Sequence, residues 1–343
     1  MSRRQQDRVT IYEVAKRSGS SISTVSRVIN GDPAVRQDNR ERVLRAISEL
    51  GFVPSGAARG LSRRSTGILG FVFLREEYHA TRPEDPEWPG YLDVAMRAAE
   101  REAERSGYSL LLSGVRPGDE ATVTALTGRV DGLMLMDEVL DEEALDRLAE
   151  RFPAVWFAGR AGARTTVVRA DQDAGVRALA EHLLDGPHRF TDVVAIVGPE
   201  AVSDHAARRR ALEQVSAARD VRVRLWTVEP GSSGAAGAVA TRLAAEPTPE
   251  VIICVNDEVA IGTVTALRER GLRVPADVAV TGFDDVWIAR YVDPPLTTVR
   301  QPVTDLAAQA VRSLVRRLDG DSTDGPIVLP TQLVVRRSCG CVP

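Results

Sequence analysis

The chain has 343 residues, which is enough for two or three domains. Hydrophobic residues make up 43% of it and charged residues 27%, as in ordinary globular proteins, and three cysteines are too few for a disulfide-built fold. The net charge of −4 is unevenly distributed, because residues 1–66 carry 13 basic and 6 acidic side chains while the rest is acidic. A basic end on an acidic body favours nucleic-acid contact at that end only.

The first residues are polar and basic and lack the apolar core of a signal peptide. Nowhere does an apolar run reach the roughly 18 residues that a membrane helix needs. We therefore expect a cytoplasmic protein with no membrane partner.

The most informative stretch, TIYEVAKRSGSSISTVSRVING, begins at Thr10 and predicts two short helices joined by a tight turn. Thr10 and Glu13 have the spacing of a capping box, and Gly19 suits the end of the first helix. A serine at position 20 or 21 can cap a second helix over about 22–29. That helix carries small hydroxyls and a guanidinium where a surface helix normally carries Glu and Lys, and these groups suit base edges and phosphates.

These residues resemble the DNA-binding headpiece of the LacI/GalR family of bacterial transcription regulators, in which the second helix lies in the DNA major groove. With a third helix over about 37–50, the headpiece is placed at residues 1–54. A three-helix bundle without DNA is the alternative. The resemblance implies DNA contacts by Thr10, Tyr12, Ser21, Ile22, Ser23, Thr24, Ser26, Arg27 and Asn30.

Residues 55–66 correspond to the hinge helix of that family. Gly56 and Gly60 each disfavour helix by about 1 kcal/mol relative to alanine, and two helical turns are too short to be stable alone. The hinge should therefore fold on binding DNA.

By the same resemblance, Leu61 wedges into the minor groove and unstacks a base step, while Ala58 and Arg59 contact the groove beside it. A plain flexible linker is the alternative for this segment.

Beyond the hinge, apolar runs alternate with amphipathic helices, and a second such set starts near Asp171. This order predicts an α/β fold with two doubly wound parallel-sheet lobes, which would bind a ligand in the cleft beyond the carboxyl ends of the strands.

The pattern resembles the effector-binding and dimerisation core of the LacI/GalR family, whose fold is that of periplasmic sugar-binding proteins. It implies a core over 67–343, divided into a first lobe of about 67–160 and 299–318 and a second of about 161–298 and 319–343.

The family's effector positions map onto Tyr91, Arg208, Asn256 and Asp284. Asn256 and Asp284 end predicted strands, where amide and carboxylate groups suit sugar hydroxyls. A helix cap or a crossover hydrogen bond is the alternative for these two residues. The register at Arg208 is open, because two more arginines follow it directly.

Structural roles are expected for Asp171, Asp285 and Trp287. Either Trp88 or Trp287 could supply an aromatic face to a sugar ring.

Cys254 lies in the apolar run VIICV and is predicted to be a buried thiol. Cys339 and Cys341 form a C-x-C near the end of the chain. No metal site is expected there, because no histidine or second cysteine pair stands beside them in sequence. No cofactor is expected.

We expect a homodimeric repressor that leaves a palindromic DNA operator when a small molecule, a sugar by the family resemblance, binds the cleft. The alternatives are a ligand that tightens DNA binding, an activator, and a non-sugar effector. An enzyme is disfavoured, since the chain has no Gly-x-Gly-x-x-Gly, Walker, G-x-S-x-G or HExxH motif. The basic headpiece argues against a stand-alone solute-binding protein.

Overall fold

The computed structural model divides into two compact units, Met1–Gly67 and Ile68–Pro343. Within them the structure describes residues 9–29, 32–52, 65–75, 90–159, 165–198, 202–228, 232–321 and 325–341. No helix among these residues is long and apolar enough to cross a membrane.

The first unit contains three helices, α1 (Ile11–Ser18), α2 (Ile22–Ile29) and α3 (Gln37–Leu50). Each buries a narrow apolar face, and these faces meet in one small core. Glycines in the left-handed conformation end α1 and α3, both at φ 62°. The core residues are Val14, Ala15, Val25, Val28, Val43 and Ala46.

The second unit alternates strands and helices along the chain. In order, its elements are β1 (Ile68–Leu74), α4 (Tyr91–Arg105), β2 (Ser109–Val115), α5 (Glu120–Leu126), β3 (Gly132–Met136), α6 (Glu142–Ala149), β4 (Ala154–Phe157), β5 (Thr166–Ala170), α7 (Gln172–Leu184), β6 (Val193–Val197), α8 (Ser203–Ala217), β7 (Val223–Thr227), α9 (Ser232–Ala245), β8 (Val251–Cys254), α10 (Asp257–Glu269), β9 (Ala279–Thr281), a 3₁₀ turn (Trp287–Arg290), β10 (Thr298–Arg300), α11 (Val303–Leu318), β11 (Ile327–Leu329) and β12 (Gln332–Val334).

These strands form two parallel sheets, which confirms the predicted α/β fold. The first sheet has the order β2-β1-β3-β4-β5-β11 and the second the order β7-β6-β8-β9. Strands β10 and β12 pair antiparallel as a separate ribbon.

Both faces of each sheet are covered, as parallel sheets require. In the first sheet, buried Phe71 packs with α4 and α11, while its neighbour Val72 packs with α5 and α6 on the other face. In the second sheet, Ile252 packs with α9 and α10, and Ile253 packs with α7 and α8. Successive side chains of one strand thus enter different cores.

The first sheet extends further along the chain than the predicted lobe boundary near 160. Strand β5 pairs with β4 on one side and with β11 on the other, so Thr166–Ala170 and Ile327–Leu329 both belong to the first sheet. Each strand is short, and its lobe is decided by pairing with residues distant in sequence. The sequence within each strand therefore does not show which sheet the strand joins.

Hydrogen bonds join the segments that link the two sheets. The backbone N–H of Asp171 donates to the carbonyl of Leu329 at 2.8 Å, and the hydroxyl of Thr331 donates to the carbonyl of Asp171 at 3.0 Å. Nearby, Gln172 donates through Nε2 to Oε1 of Gln301 at 3.1 Å. The start of α7, the end of β10 and the β11–β12 turn therefore form one bonded junction.

Gly175 in α7 lies against this junction without room for a side chain. A Cβ there would lie 2.7 Å from Thr331 Oγ1, 2.8 Å from Val299 Cγ1 and 3.0 Å from Phe283 Cζ. Gly237, in the interior of α9, would meet nothing within 4 Å. Both glycines are helical and only Gly175 is closely packed, so Gly237 is a matched control for substitution at Gly175.

Gly175→Ala should lower the free energy of unfolding of the second unit by about 1–3 kcal/mol, because overpacking outweighs the gain in helix propensity. Gly237→Ala should raise it by about 0.5–1 kcal/mol. Urea unfolding followed by tryptophan fluorescence reports on this unit, since all four tryptophans lie beyond residue 67. Equal effects of the two substitutions would contradict the close packing at Gly175.

Candidate functional site

The helix-turn-helix of the first unit is held by short-range hydrogen bonds at the start of each helix. The backbone N–H of Thr10 donates to the carboxylate of Glu13 at 2.7 Å, and these bonds lower the pKa of Glu13. The hydroxyl of Ser21 accepts from the backbone N–H of Thr24 at 3.1 Å and lies 2.9 Å from its hydroxyl. Ser21 is therefore the cap of α2.

The outer side of α2 is open to solvent. Ile22 is 43% exposed, and Ser23 and Arg27 are exposed as well. The Nε of Arg27 lies 4.0 Å from Oδ2 of Asp32, a loose surface pair that holds the guanidinium weakly. Such a side can meet base edges through Ile22 and Ser23 and a phosphate or guanine through Arg27.

The other predicted DNA contacts divide into two groups. Tyr12 on α1 is 68% exposed, Thr10 is also exposed, and Thr24 and Ser26 are half-buried. Outside the described residues lie Asn30, Ala58, Arg59 and Leu61.

In the second unit, a buried arginine joins three chain segments. Arg208, on α8, donates through Nε to Gln172 at 2.9 Å, through Nη1 to the carbonyl of Val255 at 2.6 Å, and through Nη2 to Asp284 at 3.2 Å. Its guanidinium carbon lies 3.8 Å from the ring centre of Phe283. A buried guanidinium needs this many partners, because desolvation of an unpaired charge costs several kcal/mol.

Asp284 lies just beyond β9 with a backbone φ of 114°, a conformation that costs a non-glycine residue about 1–3 kcal/mol. Its carboxylate also accepts from Nε2 of Gln301 at 2.7 Å. Desolvation raises the pKa of Asp284, and the neighbouring Arg208 opposes that rise. Strained backbone and a desolvated charge together are typical of a functional position.

Tyr91 is the first residue of α4, which packs on the first sheet. It lies close enough to Arg208 and Asp284 to interact with their charges. Its ring lies 6.1 Å from that of Phe157, and its hydroxyl is buried with no hydrogen-bond partner among the described residues. Desolvation raises the pKa of Tyr91 well above its ordinary value, and Asp204 and Asp284 raise it further. An unsatisfied buried hydroxyl is costly, so it marks a place where a polar ligand group would be accepted.

Asp204, in the first turn of α8, belongs to this cluster although the sequence did not single it out. It accepts from Nε2 of Gln172 at 2.8 Å, and desolvation raises its pKa to about 7. Next to it, the backbone N–H of Ser203 donates to the carboxylate of Asp137 at 2.7 Å. Because Asp137 follows β3 of the first sheet, this bond joins the two lobes directly.

A signal for Asp137 was present in the sequence, since an aspartate directly after a buried strand lies at the ligand-binding edge of a parallel sheet. For Asp204 no such signal exists. A charged residue early in a helix ordinarily lies on the surface near the helix end.

Asn256 lies just beyond the carboxyl end of β8, as predicted. Its side-chain oxygen accepts from the backbone N–H of Val259 at 2.9 Å and caps α10. Asp171 caps α7 in the same way. The carboxylate of Asp285 is 1% exposed and is paired with Arg300 and Arg336.

The remaining aromatic candidates lie apart from the cluster. Trp287 is 46% exposed, with Tyr291 at 5.8 Å between ring centres. Trp88 lies outside the described residues.

Together the two units define a class of protein, the transcription regulators that combine a helix-turn-helix with a periplasmic-binding-protein-like core. Two family models match the chain accordingly, bacterial regulatory proteins of the lacI family over residues 10–55 and the periplasmic binding protein-like domain over residues 180–339.

One curated relative is an HTH-type transcriptional repressor, PurR of Haemophilus influenzae (strain PittEE), which is 30% identical over 96% of this chain and 98% of its own length. The fold is similar to a crystal structure of the lac repressor dimer bound to operator and the anti-inducer ONPF, with TM-score 0.84, 24% identity and coverage of 97% and 99%. It is also similar to a complex of the regulator CelR with cellobiose, with TM-score 0.68, 27% identity and coverage of 96% and 100%.

The chain belongs to the lacI family of bacterial regulatory proteins, which confirms the resemblance seen in its sequence. It is a DNA-binding transcriptional repressor of that family and not an enzyme.

The register of α2 predicts that Ile22 and Ser23 choose the bases of the half-site. Ile22 has no hydrogen-bond donor and should favour a thymine methyl, with about 1–3 kcal/mol of discrimination per base pair. Ile22→Tyr combined with Ser23→Gln should therefore change the half-site selected from a randomised palindrome library. Leu44→Gln on α3, also at an exposed apolar residue, is the control and should leave the selected site unchanged. An unchanged site in the double variant would show that the register is wrong.

Asp204 should make the stability of the second unit depend on pH. The pKa of Asp204 is about 7 in the folded protein and about 3.8 in the unfolded chain. Between these two pH values the unfolded chain loses the proton first, so the contribution of Asp204 to stability falls as the pH rises. Asp204→Asn should remove the penalty and melt higher than the wild type at pH 8, and the difference should shrink toward pH 4. Asp293→Asn, an exposed carboxylate, is the control. A penalty for Asp204→Asn that grows with pH would contradict this assignment.

Proposed function

We propose that the protein is a homodimeric repressor that leaves a palindromic operator when a neutral polyhydroxy ligand, a sugar, binds between the two lobes. The observation that carries the proposal is the buried polar cluster formed by Tyr91 from the first lobe and Asp204, Arg208 and Asp284 from the second. A ligand that bonds to both lobes stabilises one arrangement of them over another, which is the requirement for allosteric control.

The polar groups of the cluster indicate the ligand class. Asp204 and Asp284, with Asp137 beside them, present carboxyl oxygens, while Arg208 already donates to Gln172, Val255 and Asp284. Carboxylates accept hydrogen bonds from hydroxyl groups, and such charge-assisted bonds are about twice as strong as neutral ones. The solved complex of CelR with cellobiose supports a sugar. Asn256 would contribute through its amide group, because its oxygen already caps α10.

Self-association through α4 and β2 completes the proposal. Strand β2 is the edge of the first sheet, and two apolar side chains on these elements are exposed, Val94 at 38% and Leu112 at 48%. A two-fold dimer presents two headpieces to two half-sites, as a palindromic operator requires. The lac repressor, similar in fold, is a dimer on its operator.

On DNA, the proposed contacts are those of the exposed side of α2 together with Leu61, Ala58 and Arg59 of the segment 55–66. Operator binding of this kind takes place on the bacterial chromosome, which supports a cytoplasmic location.

The test is a gel shift of the purified full-length protein on palindromic fragments from upstream of its own gene, at several salt concentrations. We expect a dimer by light scattering, and operator affinity that falls steeply with salt. Cellobiose and a panel of mono- and disaccharides are then titrated, and one of them should release the DNA. Asp284→Asn keeps the shape and should raise the sugar concentration needed for release about 30-fold or more, while operator affinity changes less than about 2-fold. Asp293→Asn, which removes a surface carboxylate, should leave both unchanged.

Three results would overturn the proposal. A sugar that tightens operator binding would show a corepressor instead. An effective ligand that is not a sugar would overturn the ligand class. A protein that shifts no fragment at low salt would remove the repressor function itself.

A further inference from the structure

Four potential metal ligands meet on the second lobe, away from the effector cluster. They are His182 in the last turn of α7, His188 in the turn before β6, and Cys339 and Cys341 in the segment after β12. Their ligand atoms all lie within 4.8 Å of one another. The sequence has no histidine beside the C-x-C, but the fold brings two there, one of them 153 residues from Cys341 along the chain.

Three of the six distances between these ligand atoms fit a tetrahedral zinc ion. Zinc bonds of about 2.3 Å to sulfur and about 2.0–2.1 Å to nitrogen place neighbouring sulfur and nitrogen ligands about 3.6 Å apart. Cys339 Sγ lies 3.6 Å from His182 Nε2, and Cys341 Sγ lies 3.7 Å from the same nitrogen and 3.3 Å from His188 Nε2. All three distances lie within about 0.3 Å of the tetrahedral value.

The surroundings hold these side chains in place. The ring of His188 stacks on that of Phe190, with ring centres 5.0 Å apart and planes 2° from parallel. Gly340 has a φ of 100°, a conformation that glycine adopts without strain and that lets both neighbouring thiols point to one side. Cys339 is 1% exposed. A site with fixed ligands binds an ion without the entropy cost of ordering them.

We propose that His182, His188, Cys339 and Cys341 bind one Zn²⁺ ion per chain. Two thiolates and two imidazoles in a tetrahedron are the ligand set that selects zinc among the common divalent ions. Binding would form two Zn–S and two Zn–N bonds and release the two thiol protons to solvent. Four protein ligands leave no open position, so the ion is structural and not catalytic.

The site would fasten the end of the chain to the second lobe. The hydroxyl of Ser338 donates to the carbonyl of Val280 at 2.6 Å and accepts from the backbone N–H of Thr297 at 2.8 Å, so the segment already crosses the end of β9 and the start of β10. Zinc would add a link from there to α7. Gln172 and His182 are ten residues apart on α7, about 15 Å along its axis, which keeps the ion clear of the effector cluster.

The test uses the reduced full-length protein, stripped of metal by a chelator, reloaded with Zn²⁺ and passed through a desalting column. We expect one zinc per chain by elemental analysis, and a melting temperature that rises with zinc. Cys341→Ser and His188→Asn should each weaken zinc binding about 100-fold or more against a chelating dye, and should abolish the rise in melting temperature. Cys254→Ala, which removes a cysteine outside the cluster, should still bind one ion.

Cobalt gives a second readout that needs no variant. Co²⁺ bound by two thiolates and two imidazoles should show the intense visible bands of a tetrahedral site, together with sulfur-to-metal charge transfer. A folded, reduced wild-type protein that retains no zinc against the dye would overturn the proposal. So would zinc that persists in both variants, or cobalt spectra of a six-coordinate site.

Discussion

The buried guanidinium of Arg208 sets the geometry of the second lobe. Each of its three described bonds reaches a different segment, the start of α7 at Gln172, the end of β8 at Val255 and the residue after β9 at Asp284. A charge removed from water is tolerated only where all of these acceptors are in place. The strand ends and helix starts that surround the cleft are therefore fixed by one side chain, and Asp284 keeps its strained backbone because that same network holds it.

This arrangement links the polar cluster to the junction between the lobes. Gln172 bonds to Arg208, to Asp204 and to Gln301, and Gln301 bonds in turn to Asp284. Since Gln172 and Gln301 both stand where the chain crosses from one sheet to the other, a change of hydrogen bonds at the carboxylates is also a change at the crossovers. For the proposed repressor, coupling of that kind needs no long pathway, because the cluster and the crossover segments share the same bonds.

The sequence predicted well those features whose residues lie close together along the chain. The headpiece helices follow from local rules, since the caps at Thr10 and Ser21 and the stop at Gly19 act within one turn of the chain. The two-lobe α/β architecture follows from the alternation of apolar runs and helices. Tyr91, Arg208 and Asp284 came from the family resemblance, and the structure brings them into one electrostatic cluster.

What the sequence could not predict was decided by pairing across long separations. Strands β5 and β11 are too short to show which sheet they join. In sequence, Asp204 is indistinguishable from a surface residue at a helix start, and only the fold places it near Tyr91 and Asp284. The partners of Cys339 and Cys341 lie in a different helix and turn, so spacing rules for metal ligands, which work within one segment, do not apply. In each case the tertiary fold brings together residues that lie far apart in sequence.

Strand β11 and the segment after β12 have a consequence for biosynthesis. The last strand of the first sheet and the packing of β9 and β10 both use residues beyond 326, so neither lobe can be completed before nearly the whole chain has been made. The headpiece needs none of them. At about 5–20 residues per second of translation, a nascent chain would carry a folded headpiece beside an unfinished core for on the order of ten seconds or more. During that interval the helix-turn-helix unit exists without a folded core, and a chain truncated near its end would remain in that state.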